Sequence, residues 1–534
     1  MHYHIIITSF AALLTLSSAG SSSPSATIDA GVLIGTTTSL PSSSTTVNKF
    51  LGIPFAAPPK RFSPPQKVKA WSKPLAVKEF KPACVQQFSY PKASHDFVIS
   101  AFNTPAAEES EDCLYLNVYA PATPAGGKGR AVMFWIYGGS LQFGHAGHPV
   151  YDGSKFAAEE DVIIVSVNYR TNVFGFPSSP ELPTKGHNLG FLDQRLGLDW
   201  VQRNIYSFGG DPSKVTIFGE SAGAFSIDAL LTSYPSNSRP PFRAAILQSG
   251  QISYANPYAA DTTSSWHALA AALNCTSAQS NLTCIRAAPA GTIKSIVEHQ
   301  SLNFFPVLDN VTLIENMARA RISGNIAKVP VLSGTNAQEG RVIVIQGAGV
   351  PNSTTAYLSG LGIPAELTPT IEEAYPVGGW EFPEVFDAVA QIATDIGFQC
   401  GDALWANATA ASGIPSWRYY FNATFPNTQL FPNAGVFHTS ELFITFGTYT
   451  PTNVTTQELA LSNYMRGAWA RFAKDPVAGP GWNPVGTGSA YFGGAGDLDL
   501  GLIGSDGNAG VKVIKQRDVD YRCPLWTPIL TAGI

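Results

Sequence analysis

Five nearly continuous apolar runs, at 132–137, 162–168, 215–218, 244–248 and 329–333, punctuate this chain without the in-out alternation of a half-exposed strand. That pattern predicts strands buried on both faces of a parallel sheet. The segment 189–203 has helical spacing and would place Leu192, Leu196 and Trp200 on one face. Apolar strands alternating with such segments predict a doubly wound α/β fold. Upstream, 26–37 and 45–53 read as short β-branched strands around a Ser/Pro turn, an N-terminal hairpin followed by a proline-rich loop at 54–65. Downstream come a strand at 417–423, a loop carrying His438, and a helix opened by the capping box Thr455 and Glu458. Its apolar face is Leu461, Tyr464, Ala468, Trp469 and Phe472, and Pro476 stops it.

The segment between Cys84 and Cys113 breaks the rule that connections are polar, because it carries Phe88, Tyr90, Phe97, Val98, Ile99 and Phe102. So much apolar surface in a loop predicts an apolar counterpart.

One turn has a sharper signature. Gly219-Glu220-Ser221-Ala222-Gly223 follows the run at 215–218 and precedes a small-residue segment, 224–231, that can form a helix. This is the G-x-S-x-G nucleophile elbow, whose glycines let a strand turn abruptly into a helix and leave the serine hydroxyl exposed. Gly138 and Gly139 follow another apolar run, as expected of the loop that supplies an oxyanion-hole amide.

Composition narrows the class. The chain has 534 residues, 45% of them apolar and 13% charged, about half the charged share usual in soluble proteins. No low-complexity linker divides it, so a single large domain over 20–534 is expected. Net charge is −5 and basic residues do not cluster, which argues against a nucleic-acid partner. Residues 1–19 read as a secretory signal peptide, with an apolar stretch at 5–16 and Ser17-Ser18-Ala19 after it. The n-region lacks Lys and Arg, which leaves an uncleaved anchor as the alternative, although the stretch is too short to span a bilayer. Sequons at Asn274, Asn281, Asn310, Asn352, Asn407, Asn422 and Asn453 fit a secreted glycoprotein, with glycans supplying the missing hydrophilicity. The six cysteines, an even number without a C-x-x-C, read as disulfides, for which sequence alone allows fifteen pairings.

A serine nucleophile needs a base within hydrogen-bond reach and an acid to fix that base's tautomer. In an elbow fold the order is serine, acid, histidine. Of His267, His299 and His438, only the last follows the predicted sheet strands, and the run at 329–333 leads into a loop carrying Glu339. Taken alone, a histidine is as readily a packed residue and a loop glutamate a solvated one. His145 and His148 have metal-like spacing but form too small a ligand set. The segment 493–499 brushes a calcium-repeat pattern once and reads as a surface turn.

Longer stretches decide among these readings. Phe50-Leu51-Gly52-Ile53-Pro54-Phe55-Ala56, Glu111-Asp112-Cys113-Leu114-Tyr115-Leu116-Asn117-Val118-Tyr119, Asn188-Leu189-Gly190-Phe191-Leu192-Asp193-Gln194, Phe208-Gly209-Gly210-Asp211-Pro212 and Leu247-Gln248-Ser249-Gly250 accompany the elbow. With them the chain resembles the type-B carboxylesterase/lipase family, which includes fungal lipases and the cholinesterases, over nearly all its length after residue 30.

The resemblance implies an α/β-hydrolase fold with a central, mostly parallel sheet flanked by helices. It implies a triad of Ser221 as nucleophile, His438 as base then acid, and Glu339 as orienting carboxylate, with Ser249 in support. It implies an oxyanion hole from the amides of Gly139, Ser140 and Ala222, Ser140 standing where the family usually has a third glycine, which puts bulky or tertiary-alcohol esters in doubt. Glu220, beside the serine that the elbow exposes, reads as a residue that shapes the field there, with a structural carboxylate as the alternative, and Phe304 and Phe305 resemble the acyl-pocket region, although core packing reads almost as well. The cysteines would pair as Cys84 with Cys113, Cys275 with Cys284, and Cys400 with Cys523, the first closing a lid-like loop. No tryptophan lies in that loop, which argues against a quaternary-ammonium substrate.

The expected activity is hydrolysis of hydrophobic carboxylic esters through an acyl-enzyme, with no metal or organic cofactor. No stable membrane anchor is implied, and at most transient contact with a lipid interface. A hydrolase for one narrow cinnamoyl, sterol or toxin ester is the alternative, and a non-catalytic cholinesterase-like binding protein a weaker one.

Overall fold

A computed structural model describes residues 23–88, 90–254, 263–347, 349, 351–486, 498–532 and 534. The expected signal peptide and most of the 493–499 segment lie outside these residues.

Among the described residues the apolar runs become strands of one eleven-stranded sheet. Parallel pairing runs without interruption from Asp499–Ile503 through Ser416–Phe421, Val331–Asn336, Ala244–Gln248, Gly210–Glu220 and Arg130–Ile136 to Ile163–Val167. Antiparallel strands finish both edges. Every residue of Arg130–Ile136, Ile163–Val167, Ala244–Gln248 and Val331–Asn336 is buried, the reason their sequences lack alternation. Helices cover the sheet, with Ala222–Ser233 on strands Gly210–Glu220 and Ala244–Gln248, and Thr456–Lys474 on Arg130–Ile136 and Gly210–Glu220.

The N-terminal hairpin is more divided than its sequence predicts. The first run splits into Ser25–Ile28, Gly31–Ile34 and Thr36–Thr38; the first two pair with each other in a small separate sheet, and only the third pairs with Val47–Pro54 at the edge of the large one.

The helix Leu189–Asn204 forms where predicted but faces differently. Of the expected face Trp200 is buried, but Leu192 and Leu196 are only half-buried, whereas Leu189, Gly190, Phe191, Asp193, Gln194, Gly197, Leu198 and Val201 are buried. Close approach decides this. A Cβ on Gly190 would lie 2.4 Å from the Arg170 carbonyl oxygen, and Asp193 is held in the core by the Arg170 guanidinium at 2.7 Å. Glycine and a buried ion pair, both invisible to apolar periodicity, turn the helix.

Thr456–Lys474 has the predicted capping box, with Thr455 Oγ1 accepting from the Glu458 amide at 3.0 Å. All three disulfides join the pairs that the resemblance implied: Cys84–Cys113, Cys275–Cys284 and Cys400–Cys523. The first ties down a loop that contains the helix Lys92–Phe102.

Candidate active site

Parallel strands that enter a sheet in one direction all leave it at one edge, so the segments following them are brought together there. Gly139 follows Arg130–Ile136, Ser221 follows Gly210–Glu220, Glu339 follows Val331–Asn336, and His438 lies in the loop after Ser416–Phe421. Topology alone therefore gathers four segments separated by as much as 299 positions.

Ser221 has φ 54° and ψ −121°, a conformation that L-residues avoid, between the end of its strand and the helix Ala222–Ser233. Such backbone costs about 1–3 kcal/mol and persists only where its surroundings enforce it. Here the Ser221 amide donates to the Gln248 carbonyl at 2.9 Å, and a Cβ on Gly223 would come within 2.0 Å of the Ile136 carbonyl oxygen. The helix can start this close to the next strand only with glycine at that position.

The His438 Nδ1–H donates to Glu339 Oε2 at 2.7 Å, and both side chains are buried. Glu339 Oε1 accepts from the Asn336 amide at 2.6 Å, which fixes the carboxylate plane. Asn336 also donates from Nδ2 to the Phe437 carbonyl at 2.9 Å and to Glu441 Oε2 at 2.6 Å, so one side chain joins the strand end to the histidine loop. Behind it, Gln248 Nε2 donates to Glu441 Oε1 at 3.1 Å and Trp469 Nε1 donates to Gln248 Oε1 at 3.0 Å. On its open side the His438 ring lies 4.7 Å from the Phe398 ring.

The second imidazole nitrogen, Nε2, is 3.1 Å from Glu220 Oε1, an ionic contact whose alignment falls outside hydrogen-bond geometry. No hydrogen bond joins it to Ser221. Burial pushes the His438 pKa down, but Glu220, Glu339 and Glu441 outweigh burial and leave it raised to about 9. Burial and the neighbouring Glu441 and Glu339 push Glu220 well above the usual carboxylate range against the pull of His438. Glu441, buried and close to Glu339, is raised to about 7.

The turn after Gly138 provides main-chain donors. Gly139, Ser140 and Leu141 have consecutive positive φ values of 101°, 55° and 58°, the sort of winding that turns successive N–H groups toward one side. The Gly139 carbonyl accepts from the Gln142 and Phe143 amides, closing the turn. The amides of Gly139, Ser140 and Ala222 donate to no protein acceptor.

A cavity of about 940 Å³, counted with its open mouth, reaches these groups. Its walls include Gly138, Gly139, Ser140, Glu220, Ser221 and His438, with Ala101, Phe102, Phe143, Val150, Phe225, Ile343, Phe398, Leu430, Leu442 and Phe443 around them. Ala101 and Phe102 come from the disulfide-closed loop, whereas Phe97 packs against Phe431 and is not among the lining residues.

Three expected residues do not take the places expected of them. Ser249 Oγ is buried without a hydrogen-bond partner and does not bond Glu339; the Asn336 amide occupies the supporting position instead. Phe304 is fully buried in a second core with Phe62, Phe174 and Trp266, and neither Phe304 nor Phe305 lines the cavity. Conversely Asn336, Glu441 and Phe398 were not singled out, whereas Phe102 meets the apolar counterpart that its loop predicted, and His145 and His148, weighed for their metal-like spacing, line the cavity. Glu441 had one legible signal, the single charged residue in the mostly apolar helix Ser440–Phe446.

Among the described residues no helix is long and apolar enough to cross a membrane. The family model described as the carboxylesterase family matches residues 22–491. The chain is 34% identical over 471 residues to an acetylcholinesterase of Bungarus fasciatus, covering 82% of this chain and 76% of that one. It is 31% identical over 457 residues to secreted lipase 1 of Botryotinia fuckeliana (strain B05.10), covering 76% and 78%. To the para-nitrobenzyl esterase of Bacillus subtilis (strain 168) it is 33% identical over 452 residues, covering 80% and 86%.

Proposed function

Because this chain belongs to the carboxylesterase family, has its α/β-hydrolase fold and is therefore a carboxylic ester hydrolase, we propose that it cleaves hydrophobic esters through an acyl group carried on Ser221. The observation that carries this reading is the convergence of the strained serine, the Glu339–His438 pair and unbonded amides on one apolar cavity.

In this reading Ser221 Oγ attacks the ester carbonyl carbon while His438 Nε2, turned from Glu220 toward the serine, takes the hydroxyl proton. Charge that builds on the carbonyl oxygen is met by the amides of Gly139, Ser140 and Ala222, already fixed before the reaction. Collapse of the tetrahedral intermediate breaks the bond to the alkoxy oxygen, which leaves as the alcohol with the proton from His438. Water then attacks the acyl-serine with His438 as base, releasing the acid and restoring Ser221. Glu339 holds the proton on Nδ1 and balances the imidazolium.

The raised His438 pKa gives this scheme a pH signature. The base works only when neutral, so kcat/KM rises with pH toward the free-enzyme value near 9. Glu220→Gln removes a negative charge facing Nε2, lowers the histidine pKa, and is expected to move the acid limb to lower pH by about 1 unit or more. A pH profile of kcat/KM checks this, and an unmoved limb would contradict the electrostatic role given to Glu220.

The apolar wall sets the substrate class. Each buried methylene contributes about 0.8 kcal/mol, so rates are expected to rise from acetate toward medium-chain acyl esters until the pocket ends. The chain-length series is the test, run on the parent, on Phe102→Ser and on Phe97→Ser. Since Phe102 lines the cavity and Phe97 packs on Phe431, only Phe102→Ser should flatten the profile. A fall from acetate upward, or equal profiles in all three proteins, would refute the preference and the part given to the disulfide-closed loop.

We further propose secretion, by way of the signal-like residues 1–19, the three disulfides and the sequons. Asn274, Asn310, Asn352, Asn422 and Asn453 are exposed and suit glycans. Asn407 suits one poorly, because it sits within the helix Cys400–Ala411 with its amide oxygen buried.

A further inference from the structure

Of the ten tryptophans in this chain nine are buried or half-buried, whereas Trp380 is 99% exposed. Its ring makes no ring contact, cation contact or hydrogen bond among the described residues. The turn that presents it is nevertheless anchored. The Gly378 amide donates to the Phe382 carbonyl at 2.8 Å, and buried Phe382 packs with its ring 5.7 Å from that of Tyr375. Next to the indole, Glu381 Oε1 accepts from the Tyr521 hydroxyl at 3.1 Å and from the Arg522 guanidinium. A fixed turn therefore holds a large apolar face out in water.

Trp380 belongs to the wall of a second cavity, about 1120 Å³ counted with its open mouth, which shares no lining residue with the active-site cavity. It lies beside the loops that carry Glu339 and His438, because Gln338 and Val436 also line it. Those two residues clasp the loops together, the Gln338 amide donating to the Val436 carbonyl and Gln338 Oε1 accepting from the Val436 amide, each at 3.0 Å. Where the first cavity is walled by apolar side chains, this one has Arg341, Glu381, Asp387 and Gln391. Arg341 donates to Asp387 at 2.9 Å and Gln391 Nε2 to Asp395 at 2.8 Å. Gln338 Nε2, Gln391 Oε1 and Glu381 Oε2 form no hydrogen bond among the described residues, and all three belong to half-buried or exposed side chains.

The same wall contains Asn422 and Thr424, the two ends of one sequon, both exposed although Ala423 between them is buried. The Asn422 amide donates to the Ile503 carbonyl at 2.9 Å, which fixes the point of attachment. A glycan on Asn422 thus begins at the cavity whatever its length. A pyranose offers a face of C–H groups, which the face of an indole attracts, and a rim of hydroxyl and amide groups that need both donors and acceptors. Trp380 supplies the first, and the unbonded polar atoms of Gln338, Gln391 and Glu381 supply the second. The covalent link holds the sugar there at an effective concentration of about millimolar or above, so contacts too weak to hold a free sugar suffice.

We propose that the N-linked glycan of Asn422 docks back onto its own protein, with its first sugars in this cavity and one ring stacked on Trp380. The inference rests on the glycoprotein reading given above and goes beyond it, since that reading asks only that the asparagine be exposed.

The test uses the full-length chain secreted from a yeast, as the parent, Asn422→Gln, Thr424→Ala and Trp380→Ala. Peptide mass spectrometry first reports occupancy of Asn422. The folded proteins are then oxidised briefly with N-bromosuccinimide, and the oxygen increment on the peptide bearing Trp380 is followed against that on the half-buried Trp71. Oxidation of Trp380 is expected to be about three- to tenfold slower in the parent than in Asn422→Gln and Thr424→Ala, two variants that lose the glycan by different substitutions. Conversely, peptide N-glycosidase acting on the folded protein should release the Asn422 glycan faster from Trp380→Ala than from the parent, with release from the other occupied sequons unchanged. Equal oxidation rates in the glycosylated and unglycosylated proteins, or equal release with and without the indole, would overturn docking while leaving the glycoprotein reading intact. An unoccupied Asn422 in the parent would overturn both at this sequon.

Discussion

Ser221→Ala is expected to fold like the parent and to lose ester turnover by about 10⁴- to 10⁶-fold, the range seen when the nucleophile of such a triad is removed. The fold should survive because the serine hydroxyl forms no hydrogen bond within the protein and alanine meets the same positive φ with no larger side chain. Chemistry should not survive, since the amides of Gly139, Ser140 and Ala222 remain but no oxygen is left to carry the acyl group. Thermal unfolding within a few degrees of the parent, together with initial rates on an activated ester, checks both halves. Activity within a few-fold of the parent would remove Ser221 from the mechanism.

Glu339→Gln should be nearly as damaging, about 10⁴-fold in turnover, by analogy with the neutralised acid of a serine triad. The carboxylate accepts on both oxygens, from His438 Nδ1 at 2.7 Å and from the Asn336 amide at 2.6 Å. An amide cannot do both. With its oxygen toward His438 it sets N–H against the Asn336 N–H, and with its nitrogen toward His438 it forces the proton onto Nε2, the atom that must be free to take the serine proton. Glu220 cannot stand in, because it faces Nε2 rather than Nδ1. Initial rates with thermal unfolding as the fold control decide the matter, and a silent Glu339→Gln would show that the orienting acid is elsewhere.

The parts of this site that sequence made legible are those tied to backbone geometry. Gly219 and Gly223 frame a turn that few other residues could make, and the run at 215–218 that leads into it is buried nearly throughout because both faces of the sheet are covered. Positions whose role depends on approach from distant segments were not legible. Leu192 and Leu196 have the periodicity of a core face, yet Gly190 and the Arg170–Asp193 pair rotate the helix past them. Phe304 has the sequence neighbourhood of a pocket residue and the environment of a core one. Asn336 and Glu441 lie 105 positions apart and become partners only when parallel strands set their loops side by side. Ser249 is near them in the fold, but its hydroxyl makes no hydrogen bond, whereas a main-chain amide supports Glu339. Main-chain donors leave no signature in side-chain patterns.

The claim that Ser221 carries the acyl group is tested most directly by rapid acid quench of the parent during turnover of a slowly deacylating ester, followed by peptide mass spectrometry. The account predicts one acyl mass increment per chain, on the peptide bearing Ser221, and none on Ser221→Ala. Turnover with no acylated peptide, or the increment on a peptide without Ser221, would contradict it.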